Sequence, residues 1–222
     1  MDKQFGLIFD LDGTMINNME FHKIAWKQML NKLGLSWTDE QVRPHLFGTN
    51  AEIYRRIFGD VFTADEIERN SEEKEQTYRD IYKDHLRPVD GLSHLLDKVK
   101  ADERFKLAIG TSAPKKNVEF VLDGLDIRSH FSVVVTADDV VNGKPHPETF
   151  LKASRLLNIP PEKCLAFEDV SKGVQAARSA GMKSVVITTT HPKNDFESVS
   201  GIVKIIDSYN EISVSEIEEF LR

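Results

Sequence analysis

Beyond residue 91 the sequence alternates between two periodicities, and that alternation leaves few folds open to the chain. Short apolar runs at 106–111 (KLAIGT), 132–136 (SVVVT), 164–168 (CLAFE), 184–188 (SVVIT) and 202–206 (IVKII) are separated by stretches with helical spacing at 91–101, 114–123, 147–157 and 171–180. A last helical pattern closes the chain at 213–221. Apolar strands interleaved with amphipathic helices predict a parallel sheet covered on both faces. A further apolar run, FGLIF at 5–9, adds a strand close to the N-terminus.

Between that strand and residue 88 only helical patterns occur. The first covers 18–33, with Phe21, Ala25, Met29 and Leu33 as its expected buried stripe and Gly34 as its C-terminal stop. Thr38-Asp39-Glu40-Gln41 and Thr63-Ala64-Asp65-Glu66 match the capping-box pattern and open two more helices. A short helix at 51–58 follows the loop Phe47-Gly48-Thr49-Asn50. The helix opened at Thr63 runs to about His85, with Ile67, Tyr78, Ile81 and Tyr82 as its buried stripe and its charges, Lys74 included, on a solvated face. The expected class is therefore α/β: a Rossmann-like parallel sheet core with helices on both faces, plus a small all-helical cap inserted after strand 1. Residues 1–16 and 88–222 would form the core and 17–87 the cap, with hinges near Asn17-Asn18 and Arg87-Pro88 about which the cap opens and closes.

Charge narrows the partners. Lys and Arg number 29 against 36 Asp and Glu, a net −7, which argues against a nucleic-acid footprint and against adsorption to anionic lipid. No apolar run reaches the ~18 residues of a membrane helix. One basic side chain, Lys3, precedes a strand that starts at once, so no secretory leader is expected and the cytoplasm is the expected compartment. The single cysteine, Cys164, permits no internal disulfide and opens an apolar strand, so it reads as a packed thiol. A monomer is the default expectation.

Open α/β sheets bind ligands at the C-terminal edge of their strands, so the residues that end each strand carry the chemistry. Strand 1 ends in Asp10-Leu11-Asp12-Gly13-Thr14. Residues i and i+2 of a strand share a face, ~6–7 Å apart, so Asp10 and Asp12 are expected in one site. The 106–111 strand ends in Thr111-Ser112-Ala113-Pro114, where a hydroxyl and helix-start amides favour an anion. After 132–136 comes Gly143-Lys144-Pro145, and 164–168 ends in Glu168-Asp169. Taken singly these are an N-cap, a surface lysine and an acidic loop; in order, each after a core strand, they form one polar cluster. Asp10, Glu168 and Asp169 bring about −3 and Lys144 returns +1, an imbalance that calls for a hard divalent cation. Mg²⁺ fits, with its preference for oxygen ligands and phosphate.

With these four segments in view, the chain resembles the haloacid dehalogenase-like superfamily of phosphatases and phosphomutases. Ile8-Phe9-Asp10-Leu11-Asp12-Gly13-Thr14, Thr111, Lys144 and Phe167-Glu168-Asp169 match its four motifs across the whole chain, and the helical insert resembles the small cap of the subgroup containing β-phosphoglucomutase and sugar-phosphate phosphatases. The resemblance implies Asp10 as nucleophile forming an aspartyl phosphate, and Asp12 as general acid and base. It implies Mg²⁺ on the carboxylates of Asp10 and Asp169 and the carbonyl of Asp12, with Glu168 at or beside the metal. Thr111, the Ser112 and Ala113 amides and Lys144 would bind the phosphoryl group. In the cap, His22, Trp26, the loop residues Gly48, Thr49 and Asn50, and Lys74 are the candidate substrate contacts. The cap loop departs from the mutase pattern at Ala51, where an arginine would grip a second phosphate, with Arg55 or Arg56 as possible substitutes. That departure favours a Mg²⁺-dependent phosphatase of a small phosphorylated metabolite, a sugar phosphate, over a β-phosphoglucomutase-like mutase. A non-catalytic phosphate sensor is disfavoured by Asp12, which would speed loss of the aspartyl phosphate.

Overall fold

The computed structural model describes residues 4–222. Residues 1–3, with which the expected core segment begins, lie outside the described residues. The chain divides into two compact units, Asn18–Leu86 and a second made of the residues up to Asn17 with Arg87–Arg222.

The larger unit is built on a six-stranded parallel sheet: β1 (Phe5–Phe9), β2 (Phe105–Gly110), β3 (Val133–Val135), β4 (Cys164–Glu168), β5 (Lys183–Ile187) and β6 (Ile202–Ile206), in the order β3-β2-β1-β4-β5-β6. The chain winds outwards from β1 through β2 to β3, then returns to the other side of β1 for β4. This reversal places a topological switch point between β1 and β4, where doubly wound sheets open a crevice. Phe9 pairs with Ile109 on one side and Phe167 on the other, so Asp10, Gly110 and Glu168 stand level at one edge.

The strands are apolar throughout because both faces are covered. Ile8, Ala108, Val135 and Ala166 pack against Phe150, Ala153 and Leu157 of α7 (Glu148–Leu157) and Ala176 and Ala177 of α8 (Ser171–Ser179). On the alternate positions, Phe9 and Phe167 stack with centroids 4.3 Å apart, and Tyr209 packs against both rings. The remaining helices of this unit are α5 (Leu92–Lys100), α6 (Lys115–Gly124) and α9 (Val214–Leu221). Burial of aromatic and branched side chains at ~1.5–3 kcal/mol each supplies most of the stabilisation. Cys164 is buried and free, with its thiol pushed up to about 11 by burial, as a packed thiol should be.

The smaller unit is helical: α1 (Met19–Lys32), α2 (Asp39–Val42), α3 (Asn50–Phe58) and α4 (Ala64–Tyr82). Helix α1 ends as read. Gly34 takes φ 87°, and the Gly34 and Leu35 amides return to the Asn31 and Leu30 carbonyls, a Schellman closure. Its buried stripe, however, is His22, Ala25, Trp26, Met29 and Leu30, about one position round from the Phe21–Leu33 line expected. Phe21 and Leu33 remain half-buried, whereas Trp26 and Leu30 pack with Val42, Ile53 and Tyr54 in the unit's own core. Thr38 and Thr63 form the expected capping boxes, and Thr49 with Glu52 forms a third that starts α3 one residue earlier than read. On α4 the buried stripe includes Lys74 and Glu75, which corrects the solvated reading of Lys74. No described helix is long and apolar enough to cross a membrane.

Candidate active site

At the switch point three carboxylates meet one ammonium. Lys144 Nζ donates to Asp10 Oδ1 at 2.7 Å and to Glu168 Oε1 at 2.6 Å. Lys144 is 8% exposed, so the surface-loop reading fails for it, and Asp10, Glu168 and Asp169 are buried as well. Asp10, Glu168 and Asp169 each offer an oxygen within 4.8 Å of the others. The Asp12 carboxylate is not part of that group. The strand ends at Phe9 and Asp12 lies past it in a bridge to Ile16, yet the Asp12 charge still reaches Asp10 and adds to its raised pKa. As a metal ligand the resemblance asks for the Asp12 carbonyl, and its carboxylate is left for proton transfer.

Two glycines make the packing possible. Gly13 turns with φ 79°, and a Cβ built there would overlap Asp169 Oδ2. A Cβ on Gly173, in the first turn of α8, would overlap the Glu168 carboxylate. Glu168 also accepts from the Asp169 amide at 3.2 Å, and Thr14 Oγ1 donates to Asp169 Oδ1 at 3.2 Å. Tyr209, buried behind the site, donates to the Thr14 carbonyl at 3.1 Å and holds the turn that follows β1.

The electrostatics show what the cluster lacks. Burial raises the Asp10 pKa well above the usual carboxylate value; Lys144 opposes the shift, while Glu168 and Asp12 add to it. Asp169 is likewise raised well above the usual carboxylate value, by burial and by Glu168 and Asp10. Burial works against the charge on Lys144, but Asp10 and Glu168 outweigh it and raise its pKa. Asp10 and Asp169 are raised chiefly by burial, with like charge adding to it, while Lys144 is raised by the carboxylates it bonds. Three carboxylates against one ammonium leave two negative charges, which a divalent cation balances. The oxygen-only donor set and its spacing fit Mg²⁺.

The anion-binding groups after β2 are partly committed. Thr111 is buried, and its Oγ1 accepts from the Ala113 amide at 3.1 Å. Ala113, expected to offer its N–H to a phosphoryl oxygen, instead closes a hydroxyl turn that leaves the Thr111 proton to donate elsewhere. Ser112 is half-buried. At the start of α6 the Lys115 amide is already capped by Asp138 Oδ2 at 3.0 Å.

The helical unit sorts its candidates into two groups. His22, Asn50 and Lys74 meet around Glu75: Lys74 Nζ lies 2.8 Å from Glu75 Oε1 and 3.0 Å from His22 Nδ1, and Asn50 Nδ2 donates to Glu75 Oε1 at 2.7 Å. Burial works to raise the Glu75 pKa, but Lys74, His22 and the Lys74 and Asn50 hydrogen bonds prevail and bring it down to about 2. The His22 ring stacks on Tyr78, centroids 3.7 Å apart. Trp26 is 2% exposed in the unit's core, with Lys74 Nζ 5.1 Å from its ring centroid, which makes it a packing residue. Gly48 and Thr49 serve the helix start: Thr49 exchanges bonds with Glu52, and a Cβ on Gly48 would overlap the Glu52 carboxylate.

Reading the sequence missed the hydroxyl of Thr190, which donates to Asp169 Oδ2, and that of Thr189, which donates to the Gly13 carbonyl. The signal was available, since Thr188-Thr189-Thr190 follows β5 as the other site segments end or follow their strands.

Comparison with known proteins agrees with this geometry. A family model described as haloacid dehalogenase-like hydrolase matches residues 7–187. The chain is 34% identical over 186 residues to the fructose-1-phosphate phosphatase of Escherichia coli strain K12, covering 83% of this chain and 96% of that one. It is 30% identical over 196 residues to the β-phosphoglucomutase of Bacillus subtilis strain 168, covering 84% of each. The crystal structure of an Entamoeba histolytica hydrolase of family IA, variant 3, superposes with a TM-score of 0.88 at 25% identity, over 98% of this chain and 99% of that one. The matched segment runs from β1 through β5 and so contains Asp10, Thr111, Lys144, Glu168 and Asp169. By fold, by strand-end residues and by sequence, the chain belongs to the haloacid dehalogenase-like hydrolases.

Proposed function

We propose that the protein is a Mg²⁺-dependent phosphatase that hydrolyses a small sugar monophosphate through an aspartyl phosphate on Asp10. The observation that carries this reading is the charge-deficient cluster of Asp10, Glu168 and Asp169 around Lys144 at the switch point. Relatives named as phosphatases of fructose 1-phosphate and of phosphorylated carbohydrates support it. Mg²⁺ would be held by Asp10, Asp169 and the Asp12 carbonyl, with Glu168 beside it, and would supply charge neutralisation at the transferring group.

In the first half-reaction an Asp10 carboxylate oxygen bonds to phosphorus, the ester P–O bond breaks, and Asp12 gives its proton to the departing alkoxide. In the second, Asp12 takes a proton from water, the water oxygen bonds to phosphorus, and the acyl-phosphate bond breaks to restore Asp10 and release phosphate. Lys144 holds Asp10 through Oδ1 and presents its remaining charge to the phosphoryl oxygens. The Thr111 hydroxyl donates to one of them.

Position 51 and the engagement of Arg56 and Lys74 favour hydrolysis over mutase chemistry, and Arg55 is the cation left for a mutase. A mutase must keep and reorient a bisphosphate, which needs a cation free for the second phosphate. Position 51 is alanine, and Arg56 donates to the His45 and Phe47 carbonyls and lies 3.5 Å over the Phe47 ring. Arg55 is exposed, and Lys74 is neutralised by Glu75. ³¹P NMR of the protein with Mg²⁺ and a panel of sugar phosphates, β-glucose 1-phosphate included, tests the reading with Asp10→Asn alongside. Free phosphate that disappears in the variant supports it. Conversion of the 1-phosphate to the 6-phosphate without free phosphate sinks it.

A further inference from the structure

Of the three clustered carboxylates, two are held by an ammonium and one by hydroxyls. Lys144 bonds Asp10 and Glu168. Asp169 instead accepts from Thr14 Oγ1 on Oδ1 and from Thr190 Oγ1 on Oδ2. Thr190 Oγ1 also lies 3.3 Å from the Asp169 carbonyl, and its single proton goes to the nearer carboxylate oxygen. Thr189 fastens the same loop to the Gly13 carbonyl, and the position of a Gly13 Cβ lies 3.1 Å from Thr190 Cγ2. Asp169 is 1% exposed, so these hydroxyls, not solvent, set its orientation.

The choice of donor has a physical consequence. An ammonium on Asp169 would neutralise it and weaken its pull on a cation. A hydroxyl orients the carboxylate while leaving its charge in place, and it occupies one lone pair of the oxygen, leaving another for a ligand. Two hydroxyls on opposite oxygens, from loops after β1 and β5, stop the group from rotating about its Cβ–Cγ bond. Thr190 lies just beyond the 7–187 segment of the family match and outside the four strand-end segments singled out in the sequence.

We propose that Thr190 is a positioning residue for the divalent cation, fixing the Asp169 carboxylate in the orientation that binds it. The proposal rests on the reading of Asp169 as a cation ligand. Groups that orient metal ligands typically contribute 10–100-fold to affinity. Thr14 performs the matching task on Oδ1, but it sits in the turn whose carbonyl Tyr209 holds, so its replacement disturbs more than a hydroxyl. Thr190 is half-buried on a separate loop, where valine removes the hydroxyl at constant shape.

Titration calorimetry of Mg²⁺ into the full-length, chelator-stripped protein tests this without any substrate. Thr190→Val should bind Mg²⁺ ~10-fold more weakly than the native protein, Thr190→Ser should recover most of that loss, and all three should melt alike in EDTA. Unchanged affinity in the valine variant overturns the proposal. So does a serine variant as weak as valine, or a valine variant that no longer folds in EDTA, which would make Thr190 a packing residue. A native protein that takes up no Mg²⁺ overturns the cation site itself, and that result is distinct from native binding with a normal valine variant.

Discussion

Among the described residues, each unit buries one cluster of charged side chains, and the two are balanced in opposite ways. In the helical unit Lys74 faces Glu75, one charge against one, and the Glu75 pKa falls to about 2. In the sheet unit Lys144 faces three carboxylates, and burial together with like charge raises Asp10 and Asp169. Both clusters pay for desolvation, yet only the first recovers it from its own residues. Buried carboxylates raised in this way recur at functional sites, whereas the depressed Glu75 is accounted for by its own neighbours.

The largest expected effect tests the unbalanced cluster directly. Asp10→Asn should lower phosphate release at least ~10³-fold, since the amide cannot form the acyl phosphate. Retention of more than a tenth of the native rate would remove Asp10 from the nucleophile's role. Next in size is the response to metal. Mg²⁺ at 100 times its dissociation constant should stabilise the sheet unit by about 2.7 kcal/mol, moving its melting temperature by about 5–10 °C in far-UV circular dichroism. Both tryptophans, Trp26 and Trp37, lie in the helical unit, so their fluorescence reports that unit and should shift less. An equal shift in both signals would show that the two units melt together.

The balanced cluster should respond to pH instead. The folded pKa of Glu75 is about 2 against an ordinary 4.5. Its contribution is therefore complete above pH ~4.5 and disappears as pH falls towards 2, a loss of about 2–3 kcal/mol. Denaturant titrations followed by tryptophan fluorescence at pH 6 and pH 3 should show that loss in the native protein, and a smaller one in Glu75→Gln. Identical pH dependence in the two proteins would take Glu75 out of the account. The smallest effect lies at a helix start. Thr49→Ala removes the hydroxyl that accepts the Glu52 amide and should cost the helical unit ~1 kcal/mol in the same assay.

The sheet was legible because its strands are apolar enough to stand out from their helices, and β4 and β6 ended where the pattern ended. Strand order was not, since periodicity carries no information about neighbours. Asp10, Lys144, Glu168 and Asp169, which the structure brings together, could be grouped from sequence because each ends a strand, follows one or stands on the loop after one. Thr190 follows β5 in the same way, but a third consecutive threonine reads as strand tail until its hydroxyl is seen on Asp169. The Lys74–Glu75 pair was hidden for a different reason. Adjacent residues on a helix point ~100° apart, and a charged pair on a polar helix is taken for solvent-facing unless a His22 and an Asn50 arrive from other helices to bury it. Trp26 displaced the expected stripe of α1 because aromatic and polar residues share its inner face.

Gly173 carries a last consequence, for anyone who would make this protein more robust. Glycine in the opening turn of α8 forfeits up to ~1 kcal/mol of helix propensity relative to alanine, and Gly→Ala in a helix is an ordinary thermostabilising exchange. Here the methyl group would occupy the space of the Glu168 carboxylate. The weak first turn of α8 is therefore a stability reserve that an engineer can claim only by displacing a carboxylate from the acidic cluster.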